Sequence, residues 1–323
     1  MDRRSALKLV FTLASLTAPA ATRAQSGDRL SRVGWLSPTT PVPRPRLRER
    51  LTELGWVEGR NLVFIARAAE GERSRLPVLA VDLVAANVDV IVAVAPAAIR
   101  AARQATSKIP IVMAWWGGPD LVEAGIVQSL ARPGGNITGV HMLLPALEAK
   151  RLDLLLRAVP KARKIAVLVH EASRFSEQLP PVREVARSAG IELLVFDTEE
   201  GGRGYEGAFE AMRRSGAEAL LVMSSPDFGR DRKLIAEMAL RSRMPAIQAD
   251  EVDEALMTYG VVLDELDRRA ANYIDRILRG ANPAELPVEQ PTRFKLVLNL
   301  KTARSLGITI PYSLVLQADQ TIQ

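Results

Sequence analysis

Cysteine is absent from the 323 residues of this chain. The protein therefore has no disulfide, no thiolate nucleophile and no lipidated cysteine anchor. Histidine occurs only twice, at His141 and His170, which are too few and too far apart for a metal-binding motif. The chain also lacks a GxxxxGK[ST] phosphate loop, an HExxH motif and a GxSxG nucleophile elbow. These absences argue against an enzyme, and we predict no catalytic residue, no metal and no cofactor.

Excess charge is also scarce, since the formal net charge is only +6 and 25% of the residues are charged. Half of that excess lies in the first 24 residues, which carry Arg3, Arg4, Lys8 and Arg23 against Asp2. The remaining chain has a net charge of +3, which gives little support to nucleic-acid binding.

Long apolar runs are missing outside the amino terminus. Residues 1–24 combine a basic start, an apolar run over 9–16 and small residues before a cleavage point after Ala24. That pattern predicts a secretory signal peptide, because the apolar run is too short to span a bilayer. The DRRSALK stretch resembles a twin-arginine export signal, and a general secretory signal containing two arginines is the alternative. We expect a periplasmic, monomeric protein that does not itself span the membrane.

The remainder alternates strand and helix patterns. Residues 88–95 are nearly continuous apolar sequence, as in a parallel strand buried on both faces, and residues 266–278 have the helical period. The alternation and the length predict an α/β fold with two doubly wound parallel-sheet lobes. We interpret LARPGGNITGV, residues 130–140, as a strand that crosses between the lobes. A loop and strand within one large sheet is the alternative.

Two other patterns suggest chemistry and are weak. Gly202, Gly204 and Gly207 match GxGxxG, but they follow acidic residues in mid-chain, so a flexible glycine loop is favoured over a dinucleotide site. The paired acids at 250–251 and 253–254 could perform acid–base work, but they are more typical of a solvated surface.

Ligands of open α/β sheets bind at the carboxyl ends of the strands, where this chain has polar and aromatic loops. From these loops the candidate ligand-binding residues are Ser37, Thr39, Thr40, Pro96, Trp115, Trp116, Asp120, Ser173, Ser224, Asp227 and Asp250. Adjacent strand residues point to opposite faces, so we expect only one of Trp115 and Trp116 to line a cleft. Asp120 either lies at the polar end of the ligand or caps a helix over 121–130. Trp35 and Trp56 are expected to pack, and His141 either faces the cleft or is a surface or hinge histidine.

Five stretches carry a family pattern: GWVEGRNL, RLPVLAVDLV, VDVIVA, GIVQSLARPGGNITGV and FKLVLNLKTARSLGITIP. Together they resemble a family of extracytoplasmic solute-binding proteins of ABC importers, related to tryptophan- and phenylalanine-binding members. The resemblance covers nearly all of the chain after the leader. It implies a type I periplasmic-binding-protein fold, capture of a small molecule by hinge closure, an ABC permease in the inner membrane as partner, and no catalysis. A retained Tyr-Gly element adds Tyr259 to the candidate ligand contacts. For an amino acid, Asp120 or Asp250 would hold the ammonium, and the hydroxyls of residues 37, 39 and 40 or backbone amides would hold the carboxylate.

The same fold implies three crossings between the lobes, which we place near Gly139, Gly260 and Pro291. The first lobe would then comprise residues 32–138 and 261–290, and the second residues 139–260 and 291–323. We expect the protein to deliver a small, aromatic or amino-acid-like molecule to a permease. A periplasmic sensor that signals to a membrane receptor is the alternative, and an enzyme is a third hypothesis.

Overall fold

A computed structural model describes residues 30–39, 42–118, 120–142, 144–170, 178–198 and 204–323. The predicted leader, 1–24, lies outside these ranges. The described residues form two sheets, which confirms the predicted α/β class. The first sheet has the order β2-β1-β3-β4-β5 and is parallel throughout. Its strands are β1 (Ser31–Ser37), β2 (Leu62–Ala68), β3 (Val90–Val94), β4 (Ile111–Trp116) and β5 (Ile137–His141), and its early helices are α1 (Pro45–Glu53), α2 (Leu76–Ala85) and α3 (Ala95–Ala105).

The second sheet has seven strands in the order β12-β11-β10-β9-β8-β6-β7. Its ladders are parallel except for the antiparallel pair β10–β11. The strands are β6 (Lys164–His170), β7 (Glu192–Thr198), β8 (Ala219–Val222), β9 (Ala246–Gln248), β10 (Met257–Val261), β11 (Phe294–Asn299) and β12 (Gln320–Ile322). The remaining helices are α4 (Leu144–Ala158), α5 (Leu179–Ala189), α6 (Tyr205–Arg214), α7 (Pro226–Arg230), α8 (Arg232–Arg241), α9 (Leu263–Leu278), α10 (Leu300–Leu306) and α11 (Tyr312–Val315).

Strand β3 shows why its sequence is apolar at every position. Val90 and Val92 face one buried cluster, which includes residues of α1 and α9, whereas Ile91 and Ala93 face another, with residues of α2 and α3. Because side chains alternate across a strand and both faces are covered, no polar position remains.

Helix α9 follows a strand of the second sheet and packs on the first. Leu266 and Ile274 lie in the same buried cluster as Val92. Asp264 and Glu265 occupy its first turn, where the helix dipole favours negative charge. The chain therefore passes between the sheets after β5, after β10 and before β11.

The first of these passages begins after the end of β5. Gly139 pairs with Met113 inside β5, and the strand continues to His141, so the chain leaves the first sheet only after that residue. Gly260 pairs with Lys295 at the end of β10, and Pro291 is buried just before β11. The lobe boundaries at the level of residues otherwise stay a prediction.

The helix expected over 121–130 is wrong. The segment forms successive turns, in which the amide of Ala124 donates to the Asp120 carbonyl and that of Ile126 to the Leu121 carbonyl. Apolar residues such as Leu121 are still buried against the first sheet. The segment therefore packs on the first sheet as a run of turns and bends, not as a helix.

Candidate functional site

A cavity of about 880 Å³ lies between the carboxyl edges of the two sheets. Its wall includes the ends of β1, β3 and β4 on one side, and the segments after β8 and β9 on the other. Met142, which follows β5, and residues 260–264, which join the end of β10 to the start of α9, also line it. Every wall of the cavity is therefore built by a different stretch of sequence.

The first sheet contributes an aromatic and hydroxyl wall. Trp35 and Ser37 have the same parity on β1 and both line the cavity. Trp115 joins them from β4, where a register shift places it opposite Val94. Thr39 follows, with its amide bonded to the Ser37 hydroxyl at 3.2 Å. Trp35, which we predict only to pack, is 2% exposed; it packs in a buried cluster and also lines the cavity.

Trp116 lies on the opposite face of the same strand. Its side chain is completely buried in the cluster beneath α3, with the Arg100 guanidinium 5.7 Å from the ring centroid. The expectation that only one of the two adjacent tryptophans faces the cleft matches this geometry, in which Trp115 lines the cavity and Trp116 does not.

The second sheet contributes Asp250, which follows β9. Burial raises the pKa of this carboxyl, although Arg151, Arg232 and Arg44 act to lower it. The carboxylate lies against Gly229, where an added Cβ would be 2.8 Å from Oδ2. Among the described residues, no side chain or amide makes a hydrogen bond or ion pair with Asp250.

A buried ion pair connects the cavity to the passages between the sheets. Glu148 and Arg151 of α4 are 2.6 Å apart, with both side chains at most 1% exposed. Glu148 accepts from the Ser224 amide, and Arg151 donates to the Ser224 hydroxyl and to the Tyr259 carbonyl. Sequence reasoning missed this pair. Its signal was two opposite charges three residues apart on a helix face that is otherwise apolar.

The other cationic groups in the wall already have partners. Arg44 pairs with Asp267 at 2.9 Å, and Lys295 with Glu251 at 3.0 Å. Arg230 makes two bonds to Asp231, and Arg232 donates to two backbone carbonyls. None of these cations bonds to Asp250, so this carboxylate remains open to a new cationic partner within the described part of the cavity wall.

Five candidate residues do not line this cavity, and two cannot be placed. Asp120 is exposed and accepts from the Val122 and Glu123 amides; the bond from Glu123, followed by that from Val122, lowers its pKa. Asp227 is buried in other ion pairs. The ring of Tyr259 stacks on Phe294. The excluded candidates are Pro96, Trp116, Asp120, Asp227 and Tyr259, whereas Thr40 and Ser173 lie outside the described residues.

His141 is also absent from the wall. It is buried at the end of β5, where its amide donates to the Glu289 carbonyl, and burial lowers its pKa. No group of three metal-binding side chains occurs in the described parts of the chain. None of the described helices is both long and apolar enough to cross a membrane.

Asp267, beside the cavity, provides a pH-dependent prediction of stability. Burial raises its pKa to about 6, and Arg44 only partly opposes this. Folding therefore favours the protonated carboxyl, and its contribution to the free energy of unfolding declines as the pH rises from about 4 through 6. We expect Asp267→Asn to match wild type near pH 4 and to exceed it by about 1–3 kcal/mol at pH 7 to 8. Urea unfolding across this range, with the exposed Asp264→Asn as control, would show it; a variant less stable than wild type at pH 8 would contradict it.

Solved structures with the same architecture are known. The chain has a TM-score of 0.78 and 23% identity to an ABC domain from Streptococcus pneumoniae in complex with L-Trp, covering 91% of this chain and 100% of that one. A conserved domain protein from Vibrio cholerae gives a TM-score of 0.80 and 24% identity, with 91% and 100% covered. Two α/β lobes with three passages between them thus form a type I periplasmic-binding-protein fold, as predicted.

Sequence comparison gives the family. The model of the ABC transporter substrate binding protein family matches residues 44–322, and this chain belongs to that family. A curated relative, the tyrosine-binding protein of Clostridioides difficile (strain R20291), is 24% identical over 267 residues, which are 80% of this chain and 74% of the relative. The family is extracytoplasmic, and its members bind solutes. The family predicted from the sequence is confirmed.

Proposed function

We propose that this protein captures a small aromatic amino acid, or a close analogue, in the cavity between its lobes and delivers it to an ABC permease. The observation that carries the proposal is that Trp115 and Asp250, which come from different lobes, line the same cavity. Trp35 and Trp115 supply apolar area for a ring, and Asp250 supplies a negative charge for an ammonium. The neighbour with bound L-Trp and the tyrosine-binding relative support this ligand class.

The carboxylate of such a ligand would be held by hydroxyls on both lobes. Ser37 and Thr39 line the cavity from the first sheet and Ser224 from the second. Arg232, whose described partners are backbone carbonyls, adds positive charge at the same wall. A ligand held from both sides stabilises the closed arrangement, so binding would narrow the cleft by hinge motion without changing either lobe.

Export by the leader, delivery to an inner-membrane permease and absence of catalysis are part of the same proposal. The family supports the first two, and the solute-binding neighbours support the third. We expect the exported protein to begin near Gln25, and amino-terminal sequencing that recovers Met1 would contradict this. A sensor role differs only in the partner, and a permease and ATPase encoded beside the gene would favour transport.

The direct test of the ligand is mass spectrometry of small molecules released from the purified protein by denaturation. We expect an aromatic amino acid or analogue, confirmed by titration of emptied protein. Release of a sugar, or tight binding of one in place of L-tryptophan and L-tyrosine, would contradict the proposal.

Alanine variants of the two adjacent tryptophans distinguish a residue of the cavity wall from a residue of the core. We expect Trp115→Ala to weaken binding of L-tryptophan by an order of magnitude or more, because about 1–2 kcal/mol of aromatic contact is lost, with a small change in melting temperature. Trp116→Ala should instead lower the melting temperature strongly, because removal of a buried ring costs about 3–5 kcal/mol. Calorimetric titration and thermal unfolding of both variants would measure this. The reverse assignment of the two effects would show that Trp115 belongs to the core.

A further inference from the structure

One buried ion pair joins the two lobes outside the cavity. Arg73 lies in a 3₁₀ turn (Arg73–Arg75) after β2 of the first sheet, and Asp227 lies in α7 of the second. Arg73 Nη2 is 2.8 Å from Asp227 Oδ2, and the two side chains are 20% and 4% exposed. Neither residue lines the cavity, although Ser225 and Pro226, the two residues before Asp227, do. The pair therefore lies next to the ligand cavity without contributing to its wall.

The surroundings of Asp227 are arranged around its charge. Arg230 of the same helix lies 3.3 Å from Oδ1, and His170 Nε2 lies 3.5 Å from Oδ2. The Ser225 hydroxyl accepts from the Phe228 amide and fixes the start of the short helix. Arg230 and His170 belong to the second lobe, as Asp227 does, whereas Arg73 belongs to the first. Of these contacts of Asp227, only the one with Arg73 joins the two lobes, so hinge opening would break that contact and leave the others.

We propose that Arg73 and Asp227 form a latch that stabilises the closed arrangement and thereby sets ligand affinity without contacting the ligand. The inference rests on the proposed capture by hinge closure. A contact made only in one of two conformations shifts the equilibrium between them by its differential free energy. Apparent affinity scales with the population of the binding-competent state, so loss of the latch weakens binding in proportion. A second bridge, from Gln178 Nε2 to the Gly117 carbonyl at 3.3 Å, lies at another point of the interface and would remain.

The variant to make is Arg73→Ala, with Arg75→Ala as its matched control. Arg75 lies in the same turn and pairs with Glu70, an exposed residue of the same lobe, at 3.4 Å. Both variants lose one arginine from one turn, but only the first loses a contact between lobes. We expect Arg73→Ala to bind L-tryptophan about tenfold more weakly, through faster dissociation, because a charge-assisted bond is lost from the closed state alone. Arg75→Ala should bind as wild type does.

The closed population can be measured directly. Since the chain has no cysteine, Val78→Cys in α2 and Leu234→Cys in α8, both exposed, accept spin labels on opposite lobes without competing sites. Pulsed electron resonance then gives the distance between lobes with and without L-tryptophan. We expect the short-distance fraction to be smaller in Arg73→Ala than in wild type and in Arg75→Ala.

The outcomes separate the latch from the proposed function. If wild type closes on L-tryptophan and Arg73→Ala closes and binds equally well, the latch is overturned and ligand capture stands. If wild type neither binds nor closes on L-tryptophan, the proposed ligand class is contradicted. In that case the ligand-free proteins decide the latch, and it is overturned if Arg73→Ala has the same short-distance fraction as wild type.

Discussion

Replacing Asp250 by asparagine is expected to reduce affinity for L-tryptophan by about 100-fold. The carboxylate lines the cavity, is partly buried and has no hydrogen-bond or ion-pair partner among the described residues. An ammonium placed there would form a charge-assisted bond with a partly buried carboxylate, and asparagine would leave that cation without a counter-charge. The substitution keeps the shape of the side chain, so the lobes and the tryptophan wall should be unchanged.

A ligand without the ammonium group tests whether Asp250 binds that group. Indole-3-propionate has the ring and the carboxylate of L-tryptophan but no ammonium. Wild type should prefer L-tryptophan strongly, whereas Asp250→Asn should bind the two molecules with similar affinity. Because burial raises the pKa of Asp250, affinity of wild type for L-tryptophan should fall on acidification at a higher pH than for an ordinary aspartate.

The control for this experiment is Glu251→Gln. This neighbour also lines the cavity and loses the same charge, but its carboxylate is 58% exposed and pairs with Lys295. We expect a change in affinity of less than threefold. Equal losses of affinity in both variants would indicate a general electrostatic effect of the cavity wall, not a specific bond to Asp250. An unchanged preference of Asp250→Asn for L-tryptophan over indole-3-propionate would show that Asp250 does not contact the ligand.

The second large effect is on folding. Gly139→Ala should lower the free energy of unfolding by about 3–5 kcal/mol, since it combines backbone strain with overpacking. The residue has a φ of +134°, and an added Cβ would lie 2.3 Å from the Met113 carbonyl oxygen and 2.6 Å from its nitrogen. Both atoms belong to the neighbouring strand, so neither can move without disturbing the β4–β5 ladder.

Gly135→Ala is the matched control. It lies four residues earlier in the same segment, and an added Cβ would contact nothing within 4 Å. Urea unfolding should show a change within about 0.5 kcal/mol for this variant. A Gly139→Ala protein within 1 kcal/mol of wild type would contradict the assignment of Gly139 as a packing glycine. Loss of soluble protein for Gly139→Ala alone would agree with it.

Two of the stretches that carry the family pattern have structural roles in the fold. In NLKTARSLG, the Asn299 side chain accepts from the Thr302 amide at the start of α10, and Gly307 ends the helix with a φ of +71°. In ARPGGNITG, the Asn136 side chain donates to the carbonyls of Thr106 and Ile109, and so fixes β5 beside β4. These positions have specific backbone requirements, which is why they identify the fold and carry little information about the ligand.

The candidate site was harder to predict because it joins segments that are distant in sequence. The sequence rule that ligands bind at carboxyl ends of strands selected Ser37, Trp115 and Asp250, which do line the cavity. The same rule selected Asp227, because the loop after β8 is at the correct edge. Its side chain turns instead toward Arg73 of the other lobe, a partner 154 residues away that no local pattern indicates.

Local rules of the chain thus determined the α/β class, the two sheets and the edge on which ligands bind, because strand alternation, helix periods and glycine turns act within a few residues. Only the tertiary structure decided which side chains share the cavity. The register shift in β4 turns Trp115 toward the cavity, and α4 carries the ion pair of Glu148 and Arg151 beneath Ser224. Such arrangements depend on how two sheets meet, and their energy comes from charges and surfaces that the sequence places more than 70 residues apart.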